Sequence, residues 1–185
     1  MDANDLKPAI EALKAGRAVV FPTDTVCGLG VAVRYAESPR EIFELKRRPA
    51  GKPVAWLVGG LDDLDRFGTD VSPQARELAE RGWPGALTVI VKASEAVPPA
   101  VRSQQGTIGL RMPASETALA LIREAGPLAT SSANRSADEP PRLIEDVDPG
   151  ILSEVAAVVR ASEAGSGTAS TVIDATVPDP VVLRA

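Results

Sequence analysis

The sequence predicts an α/β (α+β) fold in which helices pack on one mixed β-sheet. Short apolar runs rich in β-branched residues alternate with segments that carry helix-start and helix-stop signals, as in proteins whose sheets are covered by helices. Most of these runs are continuous, which is typical of central strands buried on both faces. The 185 residues contain no internal repeat and no long linker, so we expect a single domain over residues 1–185.

Four helices are predicted from residues that favour helix ends. The N-terminal residues form an amphipathic pattern that ends at Gly16. Ser38, Pro39 and Glu41 combine an N-cap, a proline for the first turn and a capping-box acid, which predicts a helix from about Pro39 to Lys46. The other two helices begin at a serine and end at a glycine, namely Ser72-Pro73 to Gly82 and Ser115-Glu116 to Gly126.

The strands are predicted from the β-branched runs. In chain order these are Ala18–Phe21, Val54–Val58, Leu87–Val91, Thr107–Leu110, Leu128–Thr130, Val155–Val159, Thr171–Ile173 and Val181–Leu183. The residues from Pro22 to Gly30 and the stretch from Asp138 to Pro141 are expected to be loops, because proline, glycine and polar residues dominate them.

The composition excludes several kinds of chemistry. The chain has no histidine, which excludes a Ser–His–Asp triad, a Cys–His pair and a histidine-based zinc site. Its single cysteine, Cys27, has no partner for an internal disulfide. Any reaction must therefore depend on other polar side chains, on backbone amides, or on a metal ion that the substrate brings with it.

Charge and hydropathy indicate the compartment and the class of partner. The net charge of −5 argues against broad nucleic-acid binding but allows a local basic pocket. No apolar run approaches the roughly 18–20 residues that span a bilayer, so no membrane is expected as a partner. The first residues carry Asp2, Asp5 and Glu11, unlike a signal peptide, and we expect a cytoplasmic location.

Two segments in the first third of the chain carry candidate ligand-binding groups. Phe21–Gly30 follows a strand with two threonines, an aspartate and two glycines, which suits either a polar ligand or a tight turn. Lys46–Lys52 places four cations in seven positions within a loop that its prolines and glycine hold in a fixed path. A solvated surface run is the usual explanation for such a cluster, but we favour a clamp for a polyphosphate.

Three later segments extend the candidate site. Arg111 ends an apolar strand and needs an anionic partner, either an internal carboxylate or a substrate carboxylate. Thr130–Ser136 groups hydroxyls, an amide and an arginine just past a strand. The glycine-rich Ala164–Thr171 is not a P-loop, because it lacks the Gly-Lys-Ser/Thr ending and precedes a strand instead of a helix.

Taken in order, six segments resemble the YrdC-like family, the threonylcarbamoyl-AMP synthases. They are FPTDTVCGLG, IFELKRRPAGKP, WPGALTVIV, GLRMP, SSANRS and STVIDAT followed by VLR, and they occur in the family's order and spacing over nearly the whole chain. The family's hallmark Lys-x-Arg and Ser-x-Asn pairs are matched by Lys46 with Arg48 and by Ser132 with Asn134. Any one of these segments is a weak signal, but six in register are a strong one.

The resemblance implies a fold and a reaction. The fold would be a twisted mixed sheet with flanking helices around a deep basic cavity. The enzyme, a nucleotidyltransferase, would condense L-threonine, bicarbonate and ATP to threonylcarbamoyl-AMP and pyrophosphate. The product would pass to a transferase complex that makes N6-threonylcarbamoyladenosine at position 37 of tRNA.

The resemblance also assigns residues to ligands. The threonine-binding residues would be Thr25, Arg111, Ser132 and Ser170, with Arg111 on the carboxylate. The ATP-binding residues would be Arg48, Lys52, Thr107, Asn134, Arg142 and Arg184. The catalytic set would be Lys46, Arg48, Ser132 and Asn134, with Lys46 in the phosphate clamp. No metal is expected to be bound by the protein itself, and Mg²⁺ would arrive with ATP.

The chain departs from the family pattern at three positions. Cys27 stands where an aromatic residue is common, Leu57 stands where some members have a histidine, and Ala137 replaces a glycine. Longer members also carry an additional C-terminal domain, which we do not expect here.

Two other functions fit parts of the pattern. YrdC-like modules of carbamoyltransferases handle a carbamoyl-adenylate, although they belong to much longer chains. A member without turnover would bind RNA or ribosomal particles through the basic segment at Lys46–Lys52, against the acidic net charge.

Overall fold

A mixed sheet of ten strands runs through the computed structural model, which describes residues 3–49, 53–161 and 163–185. The strands are β1 (Val19–Phe21), β2 (Gly28–Ala32), β3 (Ala55–Leu57), β4 (Gly68–Thr69), β5 (Leu87–Ala93), β6 (Thr107–Arg111), β7 (Leu128–Ser132), β8 (Ala157–Val158), β9 (Thr171–Asp174) and β10 (Val181–Arg184). The helices of the described residues are α1 (Ala3–Lys14), α2 (Arg40–Lys46), α3 (Asp62–Phe67), α4 (Pro73–Gly82), α5 (Glu116–Ala125) and α6 (Pro149–Glu154).

The strand order is β10-β9-β5-β6-β3-β7-β2-β1-β8, with β4 paired to β5 beside this path. β1 with β8, β3 with β6 and β5 with β9 are parallel, and the other pairings are antiparallel. The predicted mixed α/β architecture is confirmed.

Two helices begin where the sequence predicts. The Ser72 hydroxyl accepts a hydrogen bond from the Ala75 backbone N–H at 3.1 Å, and the Ser115 hydroxyl accepts one from Ala118 at 3.1 Å. Each hydroxyl accepts a hydrogen bond from a first-turn N–H group that has no partner within the helix. α4 and α5 therefore have the predicted side-chain caps.

The capping box predicted for α2 is wrong. Helix α2 begins at Arg40, and no side chain caps it. Glu41 instead accepts hydrogen bonds from the Ala18 backbone N–H at 2.7 Å and from Arg17 Nε at 3.1 Å. The Glu41 carboxylate thus binds the residues just before β1 instead of capping its own helix.

The loop prediction for Pro22–Gly30 is wrong in its last residues. Gly28–Ala32 forms β2, a buried strand between β1 and β7. A Cβ at Gly28 would lie 3.1 Å from both the Phe21 ring and the Thr130 methyl group, so glycine lets these side chains pack on the strand. The sequence pattern also missed α3, β4 and α6, which are short.

The two faces of the sheet are covered differently. A large apolar cluster, which includes Trp56, Leu110 and Ile42, fills one face beneath α2, α3, α4 and α6. On the other face, a smaller cluster packs α1 and α5 against β1 and against Leu57 and Leu128. The rest of that second face carries polar residues and leads to the cavity described below. In the part of the chain that the structure describes, none of the helices has the length and hydropathy of a membrane span.

Candidate functional site

An open cavity of about 630 Å³ lies on the second face of the sheet, beside the cluster formed by α1 and α5. Its size is in the range of small-molecule sites. The strand register sets its floor: Val172 pairs with Thr88, Asp174 with Ile90, Ile90 with Gly109, and Leu57 with Arg111. A Cβ at Gly109 would lie 3.2 Å from the Thr88 methyl group, so this glycine leaves the floor open.

Three arginines line the cavity. They are Arg48 from the loop after α2, Arg111 at the end of β6 and Arg184 at the end of β10. Asp174 is the one carboxylate among the described residues that line the cavity, and Asp24, which is not a lining residue, lies 2.6 Å from Arg111. The excess of positive charge suits an anionic ligand.

Arg111 is held in place by groups from two loops. Its Nε donates to the Gly85 carbonyl at 2.9 Å, Nη1 to Thr25 Oγ1 at 2.9 Å and Nη2 to Asp24 Oδ1 at 2.6 Å. The residue is 6% exposed. Burial lowers its pKa, Asp24 opposes that shift, and the nearby Arg184 adds to it. Of the two anionic partners that the sequence allowed for Arg111, the internal carboxylate is present as Asp24. Two of the five guanidinium N–H groups remain free for another acceptor.

Thr25 is fixed from the other side by the glycine-rich segment. The Ser166 and Gly167 backbone N–H groups donate to the Asp24 and Thr25 carbonyls at 3.0 and 2.8 Å. A Cβ at Gly165 would lie 2.1 Å from the Thr25 carbonyl oxygen, so only glycine allows this approach. The segment that resembled a phosphate loop instead braces the loop that carries Thr25.

Lys46 lies behind the turn that follows β7. Its ammonium donates to the Ser132 carbonyl at 2.5 Å, to the Asn134 carbonyl at 2.6 Å and to Asn134 Oδ1 at 3.2 Å. The residue is 3% exposed, and burial, with repulsion from Arg48, lowers its pKa to about 8. All three ammonium N–H groups are therefore directed at the protein, and Lys46 is not among the residues that line the cavity.

The Asn134 side chain is likewise occupied within the turn. Its Nδ2 donates to the Arg135 and Asp138 carbonyls at 2.9 and 2.7 Å, while Oδ1 accepts from Lys46. The Ser132 residue lines the cavity, whereas Asn134 does not. In this structure the Lys46–Asn134 pair therefore holds the shape of the turn.

Arg48 is the member of the Lys-x-Arg pair that reaches the cavity. Its Nη1 donates to Ser131 Oγ at 3.3 Å and its Nη2 to the Pro53 carbonyl at 3.2 Å. Its Nε is buried and has no hydrogen-bond partner among the described residues. Burial lowers the pKa of Arg48.

The β9–β10 side of the cavity groups three of the predicted residues, Ser170, Thr107 and Arg184, with Thr88. Ser170 Oγ lies 2.9 Å from Thr88 Oγ1 and accepts from Arg184 Nη2 at 3.2 Å, while Arg184 Nε donates to the Ser170 carbonyl at 2.9 Å. Thr107 shares a hydrogen bond of 2.7 Å with Ser103 at the mouth. Ser170, Thr88, Thr107 and Arg184 all line the cavity.

Two predicted ATP contacts stand apart from this group. Arg142 is exposed, and its Nε donates to the Gly165 carbonyl at 2.7 Å, which ties it to the glycine-rich segment. Arg142 is not among the lining residues. Lys52 lies outside the residues that the structure describes.

The three departures from the family pattern have clear structural settings. Cys27 is fully buried, and burial raises the pKa of its thiol to about 11, so the thiolate needed for nucleophilic attack is scarce at neutral pH. Leu57 lines the cavity beside Arg111. Ala137 has a φ of 82°, in the left-handed region that favours glycine, so its alanine strains the turn by about 1–2 kcal/mol.

Sequence reasoning missed Asp24, Gly85 and Thr88 as parts of the site. Asp24 belongs to the quoted FPTDT segment, but its pairing with Arg111 joins residues 87 positions apart. Thr88 lies within the apolar run of β5, which indicated a strand and carried no functional signal. The described residues include no group of three or more Cys, Asp or Glu arranged to hold a metal ion.

Comparison with known proteins places the chain among well-defined relatives. The Sua5/YciO/YrdC family model, described as "Telomere recombination", matches residues 11–185. The chain is 36% identical over 173 residues to the threonylcarbamoyl-AMP synthase of Pyrococcus abyssi, covering 93% of this chain and 51% of that protein. It is 35% identical over 188 residues to the threonylcarbamoyl-AMP synthase of Bacillus subtilis, covering 100% of this chain and 54% of that protein. The chain thus spans about half the length of these curated relatives.

The fold is also similar to that of a solved relative. The crystal structure of P. abyssi Sua5 complexed with L-threonine aligns with a TM-score of 0.90 at 35% identity. The alignment covers 97% of this chain and 54% of that one.

Replacement of Lys46 by Met tests whether the ammonium holds the turn after β7. The change keeps the apolar stem but leaves the buried acceptors of Ser132 and Asn134 without a donor, so we expect a loss of about 1–3 kcal/mol in the free energy of unfolding. Urea titration measures it. Arg47→Met, at the exposed neighbouring position, should change the stability by less than about 0.5 kcal/mol. Equal stability of the two variants would contradict the structural role.

Replacement of Gly165 by Ala tests the brace on the Thr25 loop. The added Cβ would overlap the Thr25 carbonyl oxygen, so one segment must move, and overpacking of this kind costs about 1–3 kcal/mol. Thermal unfolding measures the cost. Gly60→Ala is the matched control, because a Cβ there meets nothing within 4 Å. An unchanged midpoint for Gly165→Ala would show that the two loops do not pack as described.

Proposed function

The chain belongs to the Sua5/YciO/YrdC family, and we propose that it is a threonylcarbamoyl-AMP synthase. It would condense L-threonine, bicarbonate and ATP to threonylcarbamoyl-AMP, pyrophosphate and water. The observation that carries the proposal is a single cavity. Its lining combines three arginines with hydroxyl-bearing residues, namely Arg48, Arg111 and Arg184 with Thr25 and Ser132. Both relatives described above are named threonylcarbamoyl-AMP synthases, and the solved relative has L-threonine bound.

The proposed reaction needs no nucleophile from the protein. The threonine amine attacks bicarbonate, water leaves, and a carbamate forms. A carbamate oxygen then attacks the α-phosphorus of ATP, and the bond to the pyrophosphate leaving group breaks. Both reactants are anions, so the protein has to bring them together and neutralise their charge. The buried Cys27 thiol, with its raised pKa, is suited to packing and not to attack.

We assign the two substrates to different parts of the cavity. Arg111, beside Thr25, would take the threonine carboxylate with the two N–H groups that the protein leaves free. Arg48 and Arg184, which both line the cavity, would lie along the nucleotide. Mg²⁺ would enter as part of the ATP substrate and neutralise phosphate charge.

The structure suggests a different task for two residues of the hallmark pairs. The side chains of Lys46 and Asn134 form hydrogen bonds with one another and with backbone carbonyls of the turn after β7. We therefore propose that they position Ser132 and Arg48 and do not touch the phosphates. Arg142 would act in the same indirect way, through Gly165.

The alternatives are less well supported. Burial of Lys46 removes one cation from the surface that would bind RNA, and the net charge remains −5. A carbamoyl-adenylate function would not need the threonine contacts at Arg111 and Thr25. Transfer of the product to a tRNA-modifying complex and the cytoplasmic location stay predictions.

The proposed reaction predicts that pyrophosphate is released from ATP only when both L-threonine and bicarbonate are present. A coupled phosphate assay with each component omitted in turn measures this. Release without threonine would favour the carbamoyl-adenylate function. No release under any condition would favour a binding protein without turnover.

Replacement of Arg111 by Ala should raise the KM for threonine by roughly 10- to 100-fold, because a charge-assisted hydrogen bond contributes about 1.5–3 kcal/mol. The KM for ATP should change much less. Arg123→Ala, an exposed arginine at the end of α5, is the matched control. Because Arg111→Ala also leaves Asp24 unpaired, its folding is checked by thermal unfolding, and Arg111→Lys serves if it is unstable. An unchanged threonine KM in a folded variant would overturn the assignment.

A further inference from the structure

Asp174 occupies an unusual place in the cavity. It lies at the end of β9, pairs with Ile90 of β5 on one side and with Val181 of β10 on the other, and lines the cavity. Among the described lining residues it is the one carboxylate in a site otherwise charged by arginines. A carboxylate placed where a polyanion should bind opposes that ligand unless it meets a donor group.

The Asp174 side chain is held in a defined orientation. Its Oδ1 accepts hydrogen bonds from the Thr176 backbone N–H at 3.0 Å and from the Thr176 hydroxyl at 2.7 Å. No described residue donates to Oδ2. Since an ionised carboxylate can only accept, Oδ2 is available to a donor of the ligand.

We propose that Asp174 determines nucleotide specificity by accepting a hydrogen bond from a ribose hydroxyl. This inference rests on the proposed function in so far as the ligand is ATP. Of the substrates, threonine is assigned to Arg111 on β6, two strands away from β9. Bicarbonate has to meet the threonine amine beside Arg111, so its hydroxyl is placed there too. The remaining donors belong to the nucleoside, as its ribose hydroxyls and its base amine.

The spacing along β9 favours the sugar over the base. Arg184 pairs with Val172, but its guanidinium bonds to Ser170, which lies four residues before Asp174, about 13 Å away along the extended chain. A phosphate on Arg184 and the sugar attached to it together span such a distance. The ribose is the part of a nucleotide attached directly to the phosphate, so it would lie next to a phosphate held by Arg184. Acidic side chains recognise ribose hydroxyls in the same way in dinucleotide-binding folds.

The test compares ATP with 2′-deoxy-ATP, 3′-deoxy-ATP and purine riboside triphosphate, which lacks the base amine. Both the threonine-dependent release of pyrophosphate and binding by calorimetry are measured. The wild-type protein should prefer ATP to at least one deoxy analogue by roughly 10- to 100-fold. Asp174→Ala should reduce that ratio to about 1 and leave the preference over purine riboside triphosphate unchanged.

Two further variants separate recognition from structure. Thr176→Val removes the hydroxyl that orients Asp174 but keeps the carboxylate, so it should retain part of the discrimination. Asp179→Asn, on the exposed turn between β9 and β10, should behave as the wild type. If Asp174→Ala is unstable, Asp174→Asn replaces it, and the ratio should fall because the acceptor loses its charge.

Each outcome has a definite meaning. A wild-type protein that treats all ribose analogues alike, or an Asp174→Ala variant that keeps the wild-type ratio, overturns the inference. A change confined to purine riboside triphosphate also overturns it, because Asp174 would then contact the base. Ribose discrimination in binding without any turnover supports the role of Asp174 while contradicting the proposed reaction.

Discussion

The buried ammonium of Lys46 is the contact through which the loop after α2 and the turn after β7 keep their positions. Three hydrogen bonds from one group fix the carbonyls of Ser132 and Asn134 and the Asn134 amide. Because Arg48 follows Lys46 by two residues, the same contact sets where Arg48 enters the cavity and meets Ser131. A buried cation with three acceptors is strongly favoured over one left unpaired, so this part of the site is built before any ligand arrives.

On the opposite wall of the cavity, Arg111 is likewise held in place by hydrogen bonds within the protein. Arg111 is surrounded by oxygens of Gly85, Thr25 and Asp24, and the glycine-rich segment supports Thr25 and Asp24 from behind. Side chains held in this way lose little freedom on binding, which strengthens their interaction with a ligand. The excess of arginines over carboxylates among the described lining residues favours an anionic ligand.

The sequence was informative where the physics is local. Ser72 and Ser115 cap α4 and α5 because an N-cap depends only on residues two or three positions away. Glu41 and β2 were misassigned because distant partners decided them: the Ala18 backbone for the first, Phe21 and Thr130 for the second. The same limit applies to Arg111, whose partner Asp24 is 87 residues away, and to Lys46, whose acceptors are 86 and 88 residues away. Composition and motif order indicated the class of ligand, but the division between residues that face the cavity and residues that support it required the fold.

Strand β10 is the part of the cavity wall that should open locally most easily. Within the described residues it pairs only with β9, and all four of its residues are exposed. A strand with one neighbour and little buried apolar surface separates at a lower free energy than the central strands, so its amides should exchange with solvent sooner. Arg184 moves with that strand, whereas Arg111 sits in the middle of the sheet. The cavity therefore combines one wall in the centre of the sheet with one wall on a strand that opens more easily.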